Sequence, residues 1–510
     1  EHNRRIRMIN SILLYPLLFH FFVAIVALFF WRDTRMQRLI SVSGSIIALF
    51  LSILLFREVW YNGIITMQSG NWKAPFGITM VADTLSATLV LLTNILGVAI
   101  AIYSSTSIIS ERAKFGYFPI FHLLLMGLTG AFITGDIFNL YVWFEVIIIS
   151  SFVLLTIGGE KPQIEGAVKY FTLNILASMI FLTAIAVLYG LTGTLNMADL
   201  RLKIALVENQ SLVDIAALIF FIGFGIKSAI FPLYFWLPAS YHTPPATVSA
   251  IFGGLLTKVG VYAMIRVFTL LFERSEFLDN VLIGVAAFTI LSGALGALIQ
   301  NNIQKIFSYL IICHIGFMIA GLAMNTTVAL TGAVFYMIHD IVVKGNLFLV
   351  GGFVYRLKGS YSMRQLGGLY QKFPKLSLLF LIPLFSVVGI PPLSGFWPKI
   401  SLISAGFSTE NFLLIGFIIF GSFITLLVIA KLWSEVFWKE GDAIAFKPNF
   451  KNFYQLNKRE QFSLVFAIAI LAFVSLYIGF GAEHIQNLSS RIATELTTPQ
   501  IYLDAVLNTK

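Results

Sequence analysis

Stretches of apolar residues long enough to cross a hydrocarbon layer recur along this chain from one end to the other. They fall near 10–30, 39–56, 80–105, 116–134, 137–157, 166–189, 212–235, 246–270, 280–300, 306–324, 329–354, 376–402, 412–436 and 462–482. Backbone polar groups inside lipid must be satisfied within the protein, and spans of this length do so as helices. The pattern predicts an all-α polytopic membrane protein with about fourteen transmembrane helices. Composition agrees, since 58% of the 510 residues are hydrophobic and only 11% are charged, against about a quarter charged in soluble domains.

The net charge of +10 is not gathered into any run dense enough to hold nucleic acid. It reads instead as Lys and Arg in cytoplasmic loops. Loops after odd-numbered spans carry about twice as many of these residues as the remaining loops and tails, which predicts odd-numbered loops inside and both termini outside. Arg4, Arg5 and Arg7 pull weakly the other way. A single cysteine, Cys313, excludes an internal disulfide and any multi-cysteine metal site, so no redox cofactor is expected. No cleavable signal peptide is expected, because the first apolar stretch runs into Trp31-Arg32-Asp33 without a small-residue cleavage pattern.

A few ionisable residues lie inside these spans, where they are costly and face the protein interior or a hydrated cavity. The segment FGIKSAIFPLYFWLP places Lys227 just before Pro232, which removes a backbone donor and interrupts the helix. A lysine beside a broken helix suggests a transport site. Lys258 occupies the next span with no acidic residue within a turn, and desolvation there favours a carrier that alternates between protonated and neutral forms. In the fifth span GDIFNLYVWFE puts Asp136 at the membrane edge and Glu145 deeper, with Lys227 as its natural partner. The alternative for that pair is a purely structural salt bridge.

The eleventh span holds His339, Asp340 and Lys344, with Asp340 and Lys344 at the i, i+4 spacing that allows pairing. His339 titrates near physiological pH in its ordinary state and so suits a relay. The twelfth span repeats the design of the seventh, because Gly389-Ile-Pro-Pro-Leu-Ser-Gly395 breaks it just before Lys399. Two interrupted, lysine-bearing segments predict two inverted five-helix repeats with broken seventh and twelfth helices. The divisions expected are 1–115, holding spans one to three; 116–271, the first repeat; 280–438, the second; and 439–510, a basic loop, the last span and the tail. His242 reads as a helix-entrance residue and His314 as packing or proton transfer, while Asp83, Lys169 and Asp199 read as interfacial charges.

Together, GDIFNLYVWFE, FGIKSAIFPLYFWLP, PPATVSAIFGGLLTKVGVYAMIR and GIPPLSGFWPK resemble the antiporter-like subunits shared by respiratory complex I and the Mrp multisubunit cation/proton antiporters. The resemblance covers nearly the whole chain, and the wording of the fifth span is most similar to the D-type Mrp subunits. The M-type subunits of complex I carry glutamate where Lys399 stands, the L-type adds a long lateral helix, and the A-type Mrp subunit is much longer. The N-type subunit also has lysine there and stays open, as does a membrane-bound hydrogenase subunit. The family's usual acidic residue is missing from Asn302-Ile303-Gln304-Lys305.

The resemblance implies a sodium/proton antiporter subunit in a bacterial plasma membrane, working in a hetero-oligomer with other Mrp-type subunits and breaking no chemical bond. It implies a proton path along the membrane plane. In that path Glu145 and Lys227 form the coupling pair, Lys258 with His339 and Lys344 the central relay, and Lys399 the far terminus. Protons and sodium are the implied ions, the bilayer is the implied surroundings, and which residues would hold sodium is not implied.

Overall fold

A computed structural model of the chain describes residues 11–441 and 452–507. Residues 442–451 of the basic interval 439–461 therefore lie outside the described residues, as do Arg4, Arg5 and Arg7. The principal helices are α1 (Tyr15–Phe29), α2 (Thr34–Asn62), α3 (Thr84–Ser107), α4 (Tyr117–Ile133), α5 (Ile137–Thr156), α6 (Lys161–Thr192), α7 (Gln210–Ser228), α8 (Ala246–Leu270) and α9 (Glu276–Ile299). They continue with α10 (Ile303–Met324), α11 (Thr327–Lys358), α12 (Pro374–Val388), α13 (Phe396–Ser408), α14 (Phe412–Trp433), α15 (Lys458–Phe480), α16 (Ala482–Thr497) and α17 (Pro499–Leu507).

Among the described residues eleven helices are long and apolar enough to cross a membrane, and α1, α4 and α12 are shorter apolar ones. These account for all the expected spans, with α12 and α13 forming the twelfth. Helix starts follow local chemistry, since an Asp, Asn or Thr side chain at the N-cap satisfies an orphan amide. Asp33, Asp83, Asp136, Asn302 and Thr326 all do this, Asp136 through a 2.7 Å bond from the Asn139 amide.

Both expected breaks are present. Each half-helix ends on a residue in the left-handed region, Ala229 (φ 59°) after α7 and Gly389 (φ 85°) after α12. The carbonyls left free at a helix end need partners. Trp236 Nε1 donates to the Ile226 carbonyl at 3.0 Å, and Lys399 Nζ to the Val388 carbonyl at 2.6 Å. Another irregularity lies in α8, where Phe252–Leu256 widen into a π-helical turn.

Two features carry no clear signal in the sequence. Ile65–Gln68 and Thr79–Ala82 pair as an antiparallel hairpin, Ile65 opposite Ala82, in the loop between α2 and α3. The C-terminal tail, amphipathic at most on its sequence, is a helix that docks: α16 turns Ile485, Ser489, Ile492, Ala493 and Leu496 inward at helical spacing and packs along α11. Glu495 fastens it by accepting from the Thr84 amide at 3.1 Å and its hydroxyl at 2.6 Å, and Arg491 donates to the Trp60 carbonyl at 2.8 Å.

Candidate functional site

Helix α11 is the central element, buried along its length among α8, α10, α13, α15 and α16. His339, Asp340 and Lys344 on it are all fully buried. Asp340 is the hub of the charges around it. Its Oδ2 lies 2.7 Å from Lys258 Nζ, and its Oδ1 lies 3.3 Å from His314 Nδ1 and 3.8 Å from Lys344 Nζ.

Lys258, which has no acidic residue within a turn of its own helix, holds the closest contact to Asp340 across to α11, and the expected i, i+4 pair with Lys344 is also present at the longer distance. The reason is that α8 crosses α11 at its π-helical turn, where Gly253 and Gly254 allow close approach: a Cβ on Gly253 would meet the Phe348 ring, and one on Gly254 the Ile341 carbonyl. Lys258 Nζ also donates to the Gly253 carbonyl at 2.7 Å, back along its own helix.

The charge count of this cluster decides its chemistry. One carboxylate faces two lysines and a histidine, and an unpaired buried charge costs several kcal/mol. Asp340 can neutralise only one lysine at a time, so the arrangement favours exchange of a proton over a static ion pair. His314, given less weight on its sequence, joins the cluster and reaches Thr425 Oγ1 at 3.4 Å. Nothing in its flanking residues distinguishes it from packing.

Lys227 stands in the last turn of α7, where the carbonyl end of a helix favours a cation. Its Nζ donates to Ser178 Oγ of α6 at 3.0 Å and lies 4.7 Å from the centre of the Phe144 ring. Glu145 does not pair with it directly. Among the described residues no ion pair within 4.0 Å joins them, and Glu145 Oε1 is a buried atom without a hydrogen-bond partner. Glu145 follows Phe144 on α5, and it is the Phe144 ring that meets the ammonium.

A small cavity of about 20 Å³ adjoins Lys227, Asn174, Tyr170 and Tyr241, enough for roughly one water. On the loop side of the broken helix, a larger open cavity of about 400 Å³ is lined by Lys169, His242, Lys305 and Tyr309. Between α7 and α8, Gly260 gives the clearance for contact, since a Cβ there would sit 2.5 Å from Ser228 Oγ.

At the twelfth span, Lys399 directs its ammonium to the carbonyl end of α12, as Lys227 sits at the carbonyl end of α7. His339 turns away from the Asp340 cluster toward the same break, with Nδ1 2.7 Å from Ser394 Oγ. Ser394 lies 3.0 Å from Ser475, which donates to Ser386 at 3.1 Å. The chain of donors therefore starts at His339 Nδ1–H, and its Nε2 is a buried proton acceptor with no hydrogen-bond partner among the described residues. None of these serines, nor Ser178, stands out in the sequence, because a serine in an apolar run carries no local signal of its partner.

A Cβ on Gly395 would stand 3.0 Å from His339 Nε2 and collide with the Ser386 carbonyl. Gly395→Ala is therefore expected to destabilise the protein by about 1–3 kcal/mol and to displace the His339 ring. Thermal unfolding of the purified complex alongside proton-transport rates measures both, and a variant matching wild type in each would show that the close approach at Gly395 does not position the ring.

Asp83 sits at the N-cap of α3. It is buried, with Oδ2 2.6 Å from Arg266 NH2 of α8. Lys169 is exposed and Asp199 partly buried, and they are bound at i, i+4 to Glu165 and Lys203. Among the described residues no three His, Cys, Asp or Glu side chains converge as a metal site would need.

Residues 134–425 match the family model described as NADH:quinone oxidoreductase/Mrp antiporter, TM. The chain belongs to this family. Among its curated relatives, the D-type subunit of the Na(+)/H(+) antiporter of Alkalihalophilus pseudofirmus is 40% identical over 98% of this chain and 99% of its own. The D-type subunit of the Na(+)/H(+) antiporter of Bacillus subtilis is 38% identical over the same shares. The NADH:quinone oxidoreductase/Mrp antiporter fold extends over the full length. A chain in the structure of the Mrp complex from Dietzia sp. DQ12-45-1b matches with TM-score 0.90 and 26% identity, covering 98% of this chain and 99% of that one. One in the membrane-bound sulfane sulfur reductase, an archaeal respiratory membrane complex, matches with TM-score 0.86, the same identity and the same coverage.

Proposed function

We propose that this chain is the proton-translocating subunit of a multisubunit Na+/H+ antiporter in a bacterial plasma membrane. The observation that carries the reading is the fully buried Asp340 set between Lys258 and Lys344, with His314 as a third neighbour. One carboxylate shared by two lysines is suited to passing a proton and ill suited to holding a rigid fold. Full-length similarity to the D-type subunits of two Na(+)/H(+) antiporters supports the antiporter assignment.

In this reading protons move between the Lys227, Asp340 and Lys399 regions, with Glu145 linking the Lys227 end to a neighbouring subunit. The cavity lined by Lys169, His242 and Lys305 is the water-filled approach. Odd-numbered loops lie in the cytoplasm and both termini outside, as their Lys and Arg distribution favours. The partners are other Mrp-type subunits in a hetero-oligomer, and sodium leaves the cell as protons enter.

A second reading, a proton pump driven by electron transfer elsewhere, has the likeness to the respiratory sulfane sulfur reductase in its favour. Everted vesicles from an antiporter-deficient host, expressing the chain with its neighbouring subunits, separate the two. With respiration setting up a pH gradient, sodium is expected to collapse it. A gradient that ignores sodium and forms only when an electron donor feeds this complex would establish the pump instead.

A further inference from the structure

The four N-terminal helices contain two buried histidines that the relay does not use. His20 of α1 and His122 of α4 are both fully buried, with their Nδ1 atoms 3.1 Å apart. His20 Nε2 lies 2.9 Å from Asn94 Oδ1 of α3, and His122 Nε2 lies 3.0 Å from Ser41 Oγ of α2.

The bonds at either end fix every proton in this chain. Asn94 Nδ2 donates to the Val90 carbonyl at 2.9 Å, so the amide oxygen faces His20. His20 must then carry its proton on Nε2 and accept on Nδ1. His122 in turn carries its proton on Nδ1 and accepts at Nε2 from the Ser41 hydroxyl. All donors point one way, from Ser41 to Asn94.

We propose that His20 and His122 form a second proton-binding site, loaded and unloaded through His122 Nε2 during transport, on the reading of this chain as a proton-translocating subunit. A proton delivered by water forms a new N–H bond at His122 Nε2, and the electron pair comes from that nitrogen. The Ser41 oxygen then accepts where its hydroxyl had donated, and that hydroxyl hydrogen turns to the carbonyl four residues back. The other heavy-atom contacts stay as they are. The charged and neutral forms therefore use the same frame, and unloading reverses the step.

An approach to the site is built into α2. Gln37, Ser41 and Ser45 recur on its buried face at four-residue spacing, and Gln37 Oε1 and Ser45 Oγ are buried without hydrogen-bond partners. No carboxylate or cationic side chain lies within ion-pair distance of either histidine among the described residues; Ser41, Asn94 and the edge-on ring of Phe121 face them. Helix α3 separates this site from the relay. Asn94 faces the histidines, whereas Leu96, about 200° round the helix, packs where a Cβ on Gly254 or Gly345 would stand.

The test uses the complete complex in everted vesicles, with assembly checked by co-purification. His122→Gln is expected to slow sodium-driven proton movement at least fivefold and to flatten its pH profile, and Ser41→Ala to slow it with recovery in Ser41→Thr. If His122→Gln does not assemble, the Ser41 pair decides. Wild-type rates and pH profile in the assembled variants, with Lys227→Ala inactive, would overturn the proposal and leave the histidines a structural clamp. A Lys227→Ala complex as active as wild type would instead count against the relay reading.

Discussion

Asp340→Asn is expected to abolish coupled proton transport and to lower the thermal stability of the assembled complex. The substitution leaves Lys258 and Lys344 in a fully buried site without their carboxylate. Breaking a buried pair by removing one partner costs about 3–5 kcal/mol, and here two cations share the loss. Asparagine nearly preserves the shape, so the effect isolates charge. Proton-transport rates together with a melting curve measure it, and wild-type values in both would mean that Asp340 is not the hub.

Lys258→Ala is expected to be as inactive as Asp340→Asn while assembling normally. The two differ because removal of Lys258 still leaves Asp340 a cation, Lys344 at 3.8 Å, and a histidine at 3.3 Å. A carboxylate with those partners is not stranded. Transport is nevertheless lost, because the alternation between two lysines needs both. Equal destabilisation in the two variants would show that Lys258 supports the fold and not the transfer.

Much of this architecture was legible in the sequence for a physical reason. Spanning a bilayer forces long apolar helices, and Pro232 and the Gly389–Gly395 segment break them where the chain says they must. What lay hidden are contacts between helices far apart in sequence. Periodicity pairs Asp340 with Lys344 on one helix, but it is blind to the π-helical turn and the Gly253-Gly254 step that bring Lys258 closer. The same holds for Asp83, whose partner Arg266 lies five spans further along. Glu145 and Lys227 illustrate the converse: the motif places them near each other, but the Phe144 ring and Ser178 hydroxyl take the direct contacts with the ammonium.

The central claim is that buried lysines here release and recapture protons, and substitution of Lys227 by arginine tests it most directly. Arginine keeps the positive charge at the end of α7 but does not give up its proton. Sodium-driven proton movement in vesicles carrying the Lys227→Arg complex should fall to the level of Lys227→Ala, with assembly unchanged. A wild-type rate in the arginine variant, with the alanine variant inactive, would contradict the claim, because it would mean that this position supplies charge alone.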